Sequence, residues 1–268
     1  MTTRRVRTTD GVEINVTDLG EGPVVVMIAG FGLDHRVWDR QIRLLAPRHR
    51  VICIDQRGHG ASDKPLHGYD FERLADDVLD VLGELGVERC AMVGWSFGGQ
   101  VAFRVAATRP ELVERLVLIG SNAVRASRSE SFPFGAPPDA VLPAMLAAEH
   151  ENRIAARRTS IVRSFASPPS EDLAAFLLGI SLQMPSWAAA ECYTTMLTAD
   201  QTDLLSAVTA PVLQVIGAAD PVHSASGAAW LAQQLGSRLV CIEGCGHYPM
   251  YETPDDLDRA LSEFLDQN

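Results

Sequence analysis

Gly94-Trp95-Ser96-Phe97-Gly98 sets a serine between two glycines. The apolar run 90–94 precedes it, and a helix-length segment, 97–108, follows and stops before Pro110. A strand-to-helix turn this tight forces the serine into strained backbone angles, and a side chain in place of either glycine would clash. The serine oxygen is then held clear of the sheet with a helix N-terminus behind it. A serine that only caps a helix could match the same letters, but strand, turn and helix together favour a nucleophile.

A serine alcohol attacks well only when a base takes its proton. Of the seven histidines, His49, His67 and His150 fall in charged or loop-like surroundings and read as solvated. His35 lies near a helix start. His59, in Asp55-Gln56-Arg57-Gly58-His59-Gly60, reads as structural. His247, in Gly244-Cys245-Gly246-His247-Tyr248-Pro249, stands just past the last predicted strand, at the sheet edge where Ser96 must also emerge. It is the expected base. The acid that fixes its tautomer is expected at Asp220, in Gly217-Ala218-Ala219-Asp220-Pro221-Val222, which follows the preceding strand. An ordinary turn aspartate before proline is the competing reading. Asp55 and Asp63 come from the wrong loop, Asp55 reading as a brace for its own turn, and Ser121-Asn122 supply no acid after Ile119. Backbone N–H groups of Phe97 and of Phe31, in Ala29-Gly30-Phe31-Gly32, are expected to receive a developing oxyanion.

The elements that must position these groups follow a plain rhythm. Short apolar runs at 24–28, 51–54, 90–93, 116–119, 211–217 and 239–242 alternate with helix-length stretches at 34–46, 71–85, 97–108, 225–235 and 255–265. That alternation predicts a buried parallel sheet covered by helices on both faces. Residues 6–16 alternate around Asp10-Gly11 and predict a hairpin. The rhythm breaks between 121 and 205, where Pro-rich joints separate helical pieces. The expected organisation is one α/β core, 1–120 with 206–268, carrying a helical cap insertion at 121–205. Within it, the Ser/Arg-rich stretch 125–131 reads as a mobile edge.

With 268 residues and 47% hydrophobic content, the chain can bury a large single core. A net charge of −11 disfavours nucleic acid and anionic membrane surfaces. The basic N-terminus has no apolar segment after it, and the longest apolar run, 24–29, is too short to span a bilayer, so a cytoplasmic protein is expected. Five cysteines without CxxC spacing argue against a disulfide framework or a zinc site. Cys53, Cys90 and Cys241 read as small hydrophobes inside strands, and Cys245 lies two residues before His247. No metal or organic cofactor is expected.

The combination of Asp55-Gln56-Arg57-Gly58-His59-Gly60-Ala61-Ser62, Gly94-Trp95-Ser96-Phe97-Gly98-Gly99, Gly217 to Asp220 and Gly246-His247 resembles the α/β-hydrolase superfamily. The resemblance covers nearly the whole chain. It implies a mostly parallel eight-stranded sheet flanked by helices, a helical cap, and a triad in the order Ser, Asp, His. It is similar to small carboxylesterases, including the pimeloyl-ester type, and to non-haem haloperoxidases, enol-lactonases and C–C hydrolases. Two departures narrow it. Relatives that open epoxides or displace halide use an aspartate where this chain has Ser96, and C–C hydrolases often carry asparagine at Trp95. Many relatives have His-Gly where this chain has Ala29-Gly30. The resemblance implies a serine hydrolase of a small ester or lactone, with C–C hydrolysis, perhydrolysis, acyl transfer or a non-catalytic binding role as alternatives. The substrate is expected to be a small molecule with a neutral or apolar acyl group, and a homo-oligomer is compatible with the sequence. Gly30, Trp95, Trp187, Tyr248 and Met250 are expected at the pocket, with cap residues such as Phe165 and Tyr193 as further lining or as the cap's own core.

Overall fold

The computed structural model describes residues 2–266. Its strands are β1 (Thr2–Arg7), β2 (Glu13–Leu19), β3 (Val24–Ile28), β4 (Arg50–Ile54), β5 (Cys90–Trp95), β6 (Val113–Ile119), β7 (Val212–Gly217) and β8 (Arg238–Ile242). They form one eight-stranded sheet in the order β1-β2-β4-β3-β5-β6-β7-β8. β1 and β2 form the predicted antiparallel hairpin, and β2 also pairs antiparallel with β4. From β4 to β8 all pairing is parallel.

The central strands are apolar on both sides because both faces are covered. Val26, Ile28, Met92, Leu116 and Leu118 pack into one core layer with Phe71, Leu74 and Val78 of α2 (Phe71–Glu84) and Val101 and Val105 of α3 (Phe97–Thr108). The alternate residues Val25, Met27, Val93, Val117 and Val215 pack into the other layer with Trp38, with Leu45 of α1 (Asp39–Leu45), and with Leu257 and Leu261 near the C-terminus. This is the period-two alternation of a strand, expressed as two cores. The parallel arrangement brings the loops after β3, β5, β7 and β8 to one edge, the carboxyl ends of the strands.

Between β6 and β7 the chain forms α4 (Pro138–Arg163), α5 (Glu171–Ser181) and α6 (Ser186–Thr198). Helix α4 is bent: Asn152 leaves helical geometry at φ −155°, ψ 78°, and its side chain accepts from the N–H of Ala155 to restart the helix. A buried ion pair staples the bend. Glu149, before it, takes both Nε and Nη2 of Arg157, after it, at 3.1 and 2.6 Å. Arg157 Nη1 donates to the carbonyls of Ser181 and Met184, and Ser186 Oγ donates to Glu149. The pair thus joins both halves of α4 to the end of α5 and the start of α6. Both side chains are 1–2% exposed, so removing one partner strands a buried charge. Glu149→Ala is expected to cost about 3 kcal/mol or more in urea unfolding; a loss below 1 kcal/mol would contradict the staple.

The chain closes with α7 (Ala225–Leu235), a short α8 (Pro249–Glu252) and α9 (Pro254–Leu265). Among the described residues no single helix is long and apolar enough to cross a membrane; α5 and α6 reach that length only together, and they meet at 96°.

Several local expectations differ from the structure. The stretch 34–46 is not one helix but a 3-10 turn, His35–Trp38, followed by α1, because the Asp34 side chain accepts from the Arg36 N–H and closes the first turn. His49 is buried, with Nε2 3.7 Å from Asp266. Cys241 is exposed, since β8 is an edge strand. The stretch 125–131 is pinned rather than left as a free edge: Arg125 and Ser131 both reach Asp200, at 3.2 and 2.8 Å, and Ser127 donates to the Leu197 carbonyl.

Candidate active site

Strand β5 runs straight into α3 through Ser96, which holds φ 53°, ψ −120°. A positive φ is costly for a residue with a Cβ and persists only where the surroundings enforce it. Here they do: Ser96 N–H is tied to the Ile119 carbonyl at 2.9 Å, and its own carbonyl accepts from Gly99. The flanking glycines leave no choice. A Cβ on Gly94 would lie 2.5 Å from the Gly98 carbonyl, and one on Gly98 would lie 2.5 Å from the carbonyls of Ile28 and Ala29.

His247 follows β8 and is held by its backbone. Its N–H donates to the Ser164 carbonyl at 2.8 Å, and its carbonyl accepts from Trp95 Nε1 at 2.9 Å. Its ring spans two partners, with Nδ1 2.8 Å from Asp220 Oδ2 and Nε2 2.9 Å from Ser96 Oγ. Asp220 is anchored through its other oxygen, which accepts from the N–H groups of Val222 and His223 at 2.8 and 3.0 Å. Burial works to raise the Asp220 pKa, but the hydrogen bonds from the His247 ring and the His223 N–H help to outweigh burial and hold it below the ordinary carboxylate range. An ionised carboxylate can only accept, so Nδ1 carries the proton. Nε2 is then the acceptor for the Ser96 hydroxyl. The three residues expected from sequence therefore meet, in the geometry of a proton relay.

Gly30, next to Phe31 in the chain, lies against the same serine. A Cβ on Gly30 would come within 3.1 Å of Ser96 Cβ. The Phe31 N–H has no acceptor among the described residues, and that of Phe97, first residue of α3, has none within its helix. The loop is braced from behind. Gln56 Nε2 donates to the Ala29 carbonyl at 3.0 Å, and Asp55 accepts from His35 N–H and Nδ1 on one oxygen and from Asn15 and Ala61 on the other. Asp34, His35 and Asp55 are of metal-ligand type and lie close together. Their atoms are already engaged, since Asp34 pairs with Arg36 and Asp55 with the four donors just named.

A cavity of about 40 Å³ adjoins this loop, lined by Phe31, Leu33, Arg157, Ser160, Ile161, Ser181, Tyr193 and Tyr248. Two aromatic stacks frame it: Phe31 on Tyr193 at 4.3 Å and Tyr248 on Phe165 at 4.4 Å. Phe31 and Tyr248 both line this cavity. The other expected pocket residues do not line it. Trp95 is 2% exposed, packed edge-on against Trp38, and its indole N–H props the His247 loop. Met250 is buried in the core layer that contains Trp38 and Leu257. Trp187 stands on the outside of α6, 47% exposed, because its indole N–H is drawn to the Pro65 carbonyl at 3.1 Å. Of the other insertion aromatics, Phe132 and Phe134 pack on Trp230 and Phe176 is exposed.

Sequence reasoning passes over His223. It is 1% exposed, its ring centre lies 5.6 Å from that of His247, and neither ring nitrogen has a partner. Its position three residues after Asp220 is the one signal that marks it. Burial pushes its pKa down to about 4, and burial does the same for His59. A histidine that resists protonation when folded binds fewer protons than the unfolded chain between about pH 6.5 and 4, so stability falls as pH falls through that window. His35, raised by its hydrogen bond to Asp55, acts in the opposite sense. His59→Gln, which cannot titrate, is expected to lose less Tm than the wild type between pH 6.5 and 4.5. Parallel Tm curves would contradict this.

A sequence model described as the alpha/beta hydrolase fold matches residues 23–254. The chain is similar to the pimeloyl-[acyl-carrier protein] methyl ester esterase of Nitrosomonas europaea, at 32% identity over 90% of this chain and 95% of that protein. Among solved structures it is similar to an esterase from Exiguobacterium antarcticum, at TM-score 0.94 and 26% identity, covering 99% of this chain and 100% of that one. A bromoperoxidase from Bacillus anthracis shares the fold at TM-score 0.94 and 24% identity, with coverage of 99% and 100%.

Proposed function

The chain belongs to the α/β hydrolase fold family, and within it we propose that it hydrolyses small carboxylic esters or lactones through an acyl-enzyme, with Ser96, His247 and Asp220 as its triad. The observation that carries this reading is the unbroken relay from Asp220 to His247 to Ser96, at 2.8 and 2.9 Å, ending on a serine held at positive φ. The esterases to which the chain is similar support it.

Ser96 Oγ attacks the carbonyl carbon as its proton passes to His247 Nε2. The negative charge moves to the carbonyl oxygen, which accepts from the Phe31 and Phe97 N–H groups, the latter at the positive end of α3. Asp220 stabilises the imidazolium so formed. Collapse of the intermediate breaks the bond to the leaving alcohol, and Nε2–H protonates that oxygen. A water then repeats the cycle: Nε2 takes its proton, its oxygen attacks the acyl carbon, and Ser96 leaves with the proton returned. All of the acid–base steps are supplied by these side chains.

Residues 121–205 act in this reading as a cap on the core formed by 1–120 and 206–268. The contact that supports the assignment is the Ser164 carbonyl, at the end of α4, holding the His247 N–H. The cap thereby touches the base it covers. The nearby cavity mixes Leu33, Ile161 and aromatic rings with Ser160, Ser181 and Arg157, whose charge is met by Glu149, and this supports a small molecule with a neutral acyl group. Saturable hydrolysis of p-nitrophenyl butyrate, with acyl-protein trapped by acid quench, is the expected result. A folded protein that turns over neither p-nitrophenyl esters nor γ-butyrolactone would overturn the reading.

A further inference from the structure

We propose that His223 is a positioning residue for the catalytic pair, its buried ring being the plug that seats the Asp220 loop against His247. The inference rests on the triad reading above and adds a residue that acts through Asp220.

The loop that carries the acid is mostly exposed, and in the stretch 218–226 His223 is the one buried residue. Backbone hydrogen bonds from Ala218 and Ala219 to the carbonyls of Ile242 and Cys245 fix the start of the loop, and Ser224 caps α7 at its end. Between these points the carboxylate is held by the backbone of 222 and 223, whose N–H groups both donate to Asp220 Oδ1. The Val222 side chain is exposed, so the grip on that backbone falls to the ring of His223. That ring lies 5.6 Å from the ring of His247, at 37°. Trp95 at 5.4 Å and Tyr248 at 5.8 Å pack around the same base. Trp95 belongs to β5 and Tyr248 to the base's own loop, so of these three rings His223 alone joins the base to the loop of the acid.

Neither ring nitrogen of His223 has a hydrogen-bond partner among the described residues. What the ring supplies is therefore bulk, not a donor or an acceptor. Burial pushes its pKa down to about 4, so it stays uncharged and does not compete with the imidazolium for Asp220. Misplacing a catalytic group by about 1 Å costs up to about a hundredfold in rate, which sets the size of the effect.

The test is kcat and KM for p-nitrophenyl butyrate in His223→Ala and His223→Leu, with Tm as the control for folding. His223→Ala removes the plug and is expected to lower kcat about ten- to a hundredfold, with KM within about threefold. His223→Val, which leaves a smaller gap, stands in if the alanine protein does not fold. His223→Leu refills the space without an unpaired nitrogen, so kcat should stay within about threefold of the wild type and Tm at or above it. A residue that acts through Asp220 loses its effect once that carboxylate is gone, so His223→Ala should change the residual rate of Asp220→Asn by less than about twofold. Wild-type kcat in His223→Ala, an equal loss in the alanine and leucine variants, or the same fold-loss in both backgrounds would each overturn the proposal. Ser96→Ala in the same assay reads the triad separately. If it is inactive while His223→Ala matches the wild type, this inference alone fails.

Discussion

Ser96→Ala is expected to lower kcat for p-nitrophenyl butyrate by about three or more orders of magnitude, while Tm changes by no more than a few degrees. The size of the effect follows from what the hydroxyl does. Among the described residues it is the only group within hydrogen-bond distance of His247 Nε2 that can form the acyl bond, and without it the base can only activate water. The lack of a stability effect follows equally directly. Ser96 makes its structural hydrogen bonds through its backbone, to Ile119 and from Gly99. Alanine has the same Cβ and inherits the same strained φ, so it neither relieves nor adds strain. A mutant that retained near wild-type kcat would remove Ser96 from the chemistry.

Asp220→Asn should cost about three to four orders of magnitude in kcat, with substrate KM little altered. The reason lies in how the carboxylate is anchored. Oδ1 accepts two backbone N–H groups, from Val222 and His223, so the amide of asparagine must place its oxygen there. Its NH2 is then turned toward His247 Nδ1, where Oδ2 had been. Facing a donor, Nδ1 must accept, and the ring proton moves to Nε2. Nε2 can then no longer take the serine proton. The substitution is nearly isosteric, so the loss reflects tautomer and charge rather than packing. A loss of less than tenfold would mean that Asp220 only shapes its turn.

The architecture was legible because burial on both faces leaves a direct mark. β3 and β5 are continuous apolar runs, β6 becomes one from Leu116 onward, β7 is broken only by Gln214, and the covering helices fall between the runs. The nearness of the three residues proposed as a triad was legible for a related reason. Each follows the carboxyl end of a strand, and parallel pairing brings those ends together whatever the loops contain. What was not legible depends on partners far along the chain. Trp95 looks like a pocket residue from its place beside the nucleophile, yet the carbonyl that claims its indole belongs to His247, more than 150 residues later. Trp187 is drawn away from the cavity by the Pro65 carbonyl. The stretch at 125–131 has the composition of a free loop, and Asp200 holds it down. The bend in α4 has no proline at its centre, and Asn152 alone does not announce a break in a helix. His223 shows no pattern at all beyond its nearness to Asp220, because its burial comes from tertiary packing.

The central claim is that Ser96 is a nucleophile activated by His247 and Asp220. A fluorophosphonate reacts with such a serine as a carbonyl ester would but leaves a stable bond, so intact-mass and peptide analysis reads the claim without knowledge of the substrate. The account predicts one phosphonyl group per chain, on the peptide carrying Ser96, absent in Ser96→Ala and formed far more slowly in Asp220→Asn. A folded protein that stays unlabelled, or labels at another residue with Ser96 intact, would contradict it.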